Sequence, residues 1–367
     1  MSDKWRFLLD VEGTAAKTMT VPIAVLTQKV ANKIPNTLAF YYFPRPAISF
    51  GYFQDIDTDI DMELAKKHNI EVCRRAEGIG GGTIFLDPTG LMALGIIADE
   101  SVFSSMNEAF RKAGEALTEV YKTWVEDAKY YPPDDVRAEG SGRKLGAVGA
   151  TEMFGVYTVV STNMPGYISS DILPKVGRIP AEKFKDKKLK SFEEYQGGVE
   201  AEIGYRPNPY EFAGVVYRVF EEEFDIEFEP GTYTKEELEM IETLNAKFQS
   251  DEHLYVVSSK RRFAGAPSNY KIGVGRYKAG KLVESRVLVD PDGIIKDMFF
   301  CGDFYAKPVP LLRQVEESLK GVSIKDDDAM LEKIKVAYED PNWETSDIEA
   351  ESFLNALIAA RESIYGS

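Results

Sequence analysis

The stretch that most constrains this chain reads Val72-Cys73-Arg74-Arg75-Ala76-Glu77-Gly78-Ile79-Gly80-Gly81-Gly82-Thr83-Ile84-Phe85-Leu86-Asp87. Four glycines fall within five residues, between two apolar runs that read as strands. A backbone without Cβ atoms turns sharply there and brings its N–H groups close to an anion. Arg74 and Arg75 add fixed positive charge and forked donors, which suit a phosphate or a carboxylate. The plainer alternative is a glycine-rich hairpin carrying two surface arginines.

Bulk properties narrow the function classes. A chain of 367 residues has room for two domains. A net charge of −16 argues against a general nucleic-acid binder, which needs a basic face. No apolar run approaches the roughly 20 residues of a membrane helix. The start, Met-Ser-Asp-Lys-Trp-Arg, lacks a signal-peptide core, so a cytoplasmic location is expected. Two histidines, His68 and His253, are too few for a multi-histidine metal site and make a Ser–His–Asp triad improbable. Two cysteines, Cys73 and Cys301, sit in strand-like apolar runs and read as inert core thiols.

Periodicity divides the chain into alternating elements. Strands are expected at 5–10, 38–43, 47–52, 91–97 and 155–163, and helices at 14–32, 58–69, 105–125 and 209–224. Pro230-Gly231 marks the expected domain boundary, giving units at 1–228 and 229–367. Thr234 and Glu237 form a capping box that opens a helix over 235–249. Three strands and three further helices follow. The expected fold class is α+β: a mixed sheet flanked by helices, then a smaller α+β domain.

A second glycine-rich stretch, Gly140-Ser141-Gly142-Arg143-Lys144-Leu145-Gly146, places Lys144 as a compact point charge for a phosphate oxygen or a polarised carbonyl. Asp134 and Asp135 are candidate Mg²⁺ ligands, since hard cations take carboxylates together with substrate phosphates. A Pro-Pro-Asp-Asp sequence is also an ordinary turn. Gly273-x-Gly275 has no following helix and is discarded as a dinucleotide fingerprint.

Taken in order, these motifs resemble those of lipoate–protein ligases. Pro46-Ala47-Ile48-Ser49-Phe50-Gly51-Tyr52-Phe53-Gln54 resembles their "P-x-(hydrophobic)3-G-x-x-Q" element. Arg74-Arg75 with Gly80-Gly81-Gly82-Thr83 and Asp87 resembles "RR-x-x-GGG-A-V-x-H-D". Asp134-Asp135-Val136 followed by Gly142-Arg143-Lys144-Leu145-Gly146 resembles "N-D-(hydrophobic)…G-R-K-I-x-G", and Leu173-Pro174-Lys175 with Lys183 and Lys187 continues the pattern. The resemblance implies a biotin/lipoate ligase-like catalytic domain with an accessory domain. It implies ATP-dependent activation of lipoate or octanoate to an acyl-adenylate, then transfer to a lysine of a lipoyl-domain carrier such as glycine-cleavage H protein or a 2-oxoacid dehydrogenase E2. By that resemblance Lys144 is catalytic. Arg74, Arg75, Gly80, Gly81, Gly82, Thr83, Asp87, Gly51 and Gly146 bind acyl substrate or ATP, and Asp135 with Asp134 hold Mg²⁺. Strands 47–53 and 70–72 would wall an acyl tunnel. Neither nucleic acid nor membrane is an expected partner.

The chain departs from the pattern in four places, the first being the N-terminal "N-M-A-x-D-E" element, which appears as Thr18-Met19-Thr20-Val21-Pro22-Ile23 without its acidic residues. Leu86 stands where the family has histidine, Glu77-Gly78-Ile79 lengthens the turn, and Asp134 replaces an asparagine. Two alternatives stay open. One is an octanoyltransferase of the same superfamily, which would use a cysteine nucleophile. The other is a non-catalytic paralogue that binds an acyl or nucleotide ligand. A biotin-type "GRGR" element is lacking at the glycine turn.

Overall fold

The computed structural model describes residues 3–9, 14–41, 43, 45–86, 92–163, 172–178, 198–345 and 348–366. Asp87, Lys183 and Lys187 lie outside the described residues. The strands in chain order are β1 Asp3–Leu8, β2 Thr37–Tyr41, β3 Ala47–Phe50, β4 Glu71–Arg74, β5 Ile84–Leu86, β6 Met92–Asp99, β7 Ala128–Tyr131 and β8 Asp135–Ala138. They continue as β9 Lys144–Met153, β10 Val156–Asn163, β11 Ile226–Pro230, β12 Lys271–Ala279, β13 Lys281–Val289, β14 Ile295–Gly302, β15 Ala306–Lys307 and β16 Glu344–Thr345.

The main sheet has eight strands in the order β11-β1-β2-β6-β10-β9-β8-β7. Successive strand residues face opposite sides, and both sides here are apolar. Leu38 and Phe40 join one core with helices Met106–Lys122 and Pro209–Phe224. Ala39 and Tyr41 join the other with helices Ala15–Val30 and Lys235–Phe248. The result is the α+β architecture, a mixed sheet between helices, that the sequence pattern leads one to expect.

The glycine stretch is not a hairpin. β4 runs parallel to β3 and β5 runs antiparallel to it, so β3 lies between them. The loop 75–83 therefore crosses the end of β3 and passes over Gly51. The expected helix over 58–69 forms as two short pieces, Ile56–Asp59 and Met62–Lys67, because Asp55 and Asp61 each cap a new start.

The chain after residue 228 stays on the main sheet. β11 pairs parallel with β1, and the capping box of Thr234 and Glu237 is present. Glu237 Oε1 and Oε2 also accept from both terminal nitrogens of Arg6, at 2.6 and 3.0 Å. Pro230-Gly231 thus turns the chain against Arg6 rather than releasing it into a linker. The second core, apart from the two faces of the main sheet, gathers β13, β14 and the helices Val309–Ser318, Asp327–Tyr338 and Ala350–Tyr365, with β12 paired to β13. Gly273 and Gly275 serve packing here: a Cβ on Gly275 would lie 1.8 Å from the Ala356 carbonyl oxygen. Among the described residues no helix is long and apolar enough to cross a membrane.

Buried charge joins the two cores. Arg286 on β13 is almost fully enclosed and reaches Asp55 at 3.2 Å, Glu284 at 2.7 Å and the Thr58 hydroxyl at 3.0 Å. Asp59 lies beside them and accepts from Gln54 and Thr58. Burial, reinforced by the Glu284 charge, pushes the Asp59 carboxyl up to about 6.

Two outcomes follow from this packing. Gly275→Ala should cost about 1–3 kcal/mol of unfolding free energy by overpacking the helix Ala350–Tyr365. Gly214→Ala has open space around its Cβ inside a helix and should be neutral or slightly stabilising; urea titrations compare the two. Asp59 binds its proton more tightly when folded, so its contribution is full below about pH 4 and is lost as pH rises through about 6. The stability of the wild type relative to Asp59→Asn should therefore fall across that window by up to about 3 kcal/mol; a flat difference from pH 4 to 7 would refute it.

Candidate active site

The glycine loop is built on close backbone approach. Gly51 allows the carbonyl of Gly81 to sit where a Cβ would be, 2.2 Å away. Gly80 does the same for the carbonyl of Phe304, at 2.0 Å. The Tyr52 amide donates to the Ile79 carbonyl at 2.9 Å. Gly78 and Gly81 take φ values of 79° and 86°, which favour glycine. Among the described residues the amides of Gly80, Gly81 and Gly82 make no backbone hydrogen bond. That leaves three donors on a half-buried turn, an arrangement that fits an anion such as a phosphate. Glu77 is exposed and keeps its carboxylate toward solvent.

The two arginines face inward. Arg74 is fully buried and donates to the carbonyls of Gly51, Tyr52, Gln54, Leu254 and Val257. Its guanidinium is used by backbone and braces the loop 51–54. Arg75 donates to the carbonyls of Gly81 and Gly82 at 2.7 and 2.6 Å, while its buried Nε has no acceptor. Burial pulls both guanidiniums down, Arg74 to about 9 and Arg75 to about 10. Gln54 accepts from the Gly51 amide and donates to Asp59 and to the Thr83 hydroxyl, which is how Thr83 is held.

The second part of the site lies on β8 and β9. Asp135 and Arg137 are two apart on β8 and share a face, and Lys144 is paired directly with Arg137. Asp135 separates the two cations. Its Oδ1 is 2.7 Å from Lys144 Nζ, and its Oδ2 accepts from Arg137 Nε at 3.1 Å and from Nη2. Burial works against the charged carboxylate, but Lys144 and Arg137 outweigh it and hold Asp135 well below the usual carboxylate range. Gly146 lies on β9 between Val136 and Asn163. Asp134 turns the other way and meets Lys281 of β13 at 2.8 Å. Lys144 and Asp135 are thus brought together, whereas Asp134 and Asp135 point to different cations. Both carboxylates are matched by ammonium or guanidinium groups, so this arrangement does not fit Mg²⁺, which needs uncompensated oxygens. Among the described residues no group of three histidine, cysteine or acidic residues is placed to hold a metal.

The remaining residues are sealed. Cys73 and Cys301 are buried, and burial pushes the Cys73 thiol up to about 12 and the Cys301 thiol well above its ordinary value. Leu86 packs with Cys73 and Ala47 in the second-face core. The strand expected to wall an acyl tunnel is packed solid, with Ala47, Ile48 and Phe50 fully buried. A cleft of about 380 Å³ instead lies beside Ile70 and Val72, lined also by Thr14, Arg45, Phe248 and Leu254. Arg137 was within reach of sequence reasoning through the period of two. Lys281 and Gln54's bridging role depend on the tertiary fold.

The chain is similar to known proteins along most of its length. Octanoyltransferase LipM of Oceanobacillus iheyensis is 27% identical over 253 residues, covering 65% of this chain and 91% of that protein. A bi-partite lipoate protein ligase from Thermoplasma acidophilum, solved in a study that also included its E2 lipoyl domain, matches with a TM-score of 0.60 at 23% identity, over 70% of this chain and 97% of that one. P. falciparum LipL1 in complex with lipoate matches with a TM-score of 0.65 at 14% identity, over 93% and 95%. The lipoyl protein ligase A/B catalytic domain model matches residues 15–221, more than half of the sequence and the whole span from the first helix through both parts of the site, and the chain belongs to that family.

Proposed function

We propose that this chain transfers an octanoyl group from a thioester donor to a lysine side chain of a lipoyl-type carrier domain. The relatives named octanoyltransferase, matched over nearly their whole length, support this reading. The observation that carries its chemistry is Lys144, an ammonium fixed on Asp135 at 2.7 Å in a largely buried position. A fixed cation of this kind stabilises the oxyanion that forms when an acyl carbonyl is attacked. The chain departs here from the cysteine nucleophile expected of such a transferase: both of its thiols are sealed, so the carrier lysine attacks the thioester carbon itself. The C–N bond forms, the C–S bond breaks, and the amine proton leaves with the thiolate.

A second reading, activation of free octanoate or lipoate with ATP, is favoured by one feature. The unpaired amides of Gly80, Gly81 and Gly82 suit a phosphate. ATP would supply the leaving group there, and the chain's own residues would hold the α-phosphate and the acyl carbonyl.

One assay separates the readings. The protein is given an unmodified lipoyl domain with either octanoyl-carrier thioester alone or octanoate with Mg·ATP, and the product is read by intact mass. Product from the thioester without ATP is expected. Product only with ATP assigns the ligase reading, and no product from either rejects acyl transfer. Lys144→Met should lower the rate by about 10²–10³. Cys73→Ser should leave the rate within a few-fold; its loss would restore a covalent acyl-cysteine.

A further inference from the structure

We infer that Lys281, supplied by the C-terminal unit, is a positioning residue that holds the Asp134–Asp135 turn and through it the ammonium of Lys144. The inference rests on the acyl-transfer reading above for its consequence, though not for its geometry.

Lys281 opens β13 directly after Gly280, whose φ of 69° makes the tight return from β12. Its Nζ crosses to Asp134 Oδ2 at 2.8 Å, and both side chains are about one-third exposed or less (27% and 34%). The Asp134 carbonyl is held by the Val148 amide at 2.8 Å, so backbone and side chain of this residue are both fixed. The next residue, Asp135, carries Lys144. The same segment of the C-terminal unit also fixes the glycine loop. The Leu282 carbonyl accepts from the Asp303 amide at 2.9 Å, and the Phe304 carbonyl fills the space left by Gly80. Phe53 accepts from the Gly302 amide and stacks on Phe304 with ring centroids 5.0 Å apart. Residues 281–282 and 302–304 therefore touch both parts of the site at once.

An ion pair of this exposure contributes little stability on its own. Its position beside the lysine-bearing carboxylate gives it a role that stability does not measure. Three full-length variants test it: Lys281→Met, Lys281→Arg and Asp134→Asn, with the Lys281→Met/Asp134→Asn pair. Two readouts are taken beside thermal unfolding. The first is labelling of Lys144 by limiting acetic anhydride, quantified by peptide mass spectrometry. Lys281→Met and Asp134→Asn should each raise Lys144 labelling several-fold, the pair no more than either alone, and Lys281→Arg should restore the wild-type level. The second is transfer kinetics, where Lys281→Met should lower kcat about ten-fold with KM for the acyl donor unchanged.

Unchanged Lys144 labelling in Lys281→Met overturns the inference, whatever the activity. So does a labelling change accompanied by loss of the folded transition in every variant including Lys281→Arg, which would show a purely structural contact. A wild type inactive with both donors, but with the labelling pattern intact, rejects the acyl-transfer reading and leaves the positioning role standing.

Discussion

The structure depends on a single buried guanidinium. Arg74 spends its donors on the carbonyls of Gly51, Tyr52, Gln54, Leu254 and Val257, which joins a loop of the small sheet to a segment 180 residues later. Backbone carbonyls in the interior need donors, and an arginine can serve several at once from a rigid plane. Burial is opposed by Asp55 and Asp59, whose charges favour the protonated guanidinium. Those same aspartates lie beside Arg286 and Glu284 of the second core. The loop that carries the site and the surface on which the C-terminal unit rests are therefore products of one electrostatic cluster.

Much of this was readable from the residues, and the failures have a common cause. Helix starts were legible because capping is local: Thr234 and Glu237 satisfy each other's backbone within one turn. Motif order singles out Lys144 and Asp135, and the fold brings the two within 2.7 Å of each other. The arginines next to the glycines were legible as charge but not as direction. Nothing within ten residues of Arg74 reveals that its partners lie at 254 and 257, and nothing near Gly80 reveals Phe304. Pro230-Gly231 suggests a boundary after residue 228; in the fold the strand that leads into this turn, β11, pairs with β1 of the first sheet. Turn chemistry marks a change of direction and leaves open whether the chain departs or returns.

The site also shows how a family's chemistry can be read against the particulars of one chain. Its carboxylates are neutralised by Lys144, Arg137 and Lys281, and its thiols are enclosed. The site presents cations fixed on carboxylates beside the amides of the glycine loop. Such a set favours orienting and polarising an acyl group that arrives already activated, or one activated by a phosphate that it can cradle.

The placement of β3 has one more consequence. Its two edges are taken by β4 and β5, the strands on either side of the glycine loop. The central strand cannot be completed until the chain on both sides of the loop has arrived. Pairing β3 with β4 closes a span of about 25 residues, and pairing β3 with β5 fixes the loop between them. The loop thus takes its shape from the cooperative closure of a three-stranded unit. The hydrogen-bonded amides of Tyr52, Arg75 and Ile79 should open to solvent exchange as a group with those of β3, on the timescale of that unit's unfolding rather than that of a free surface turn.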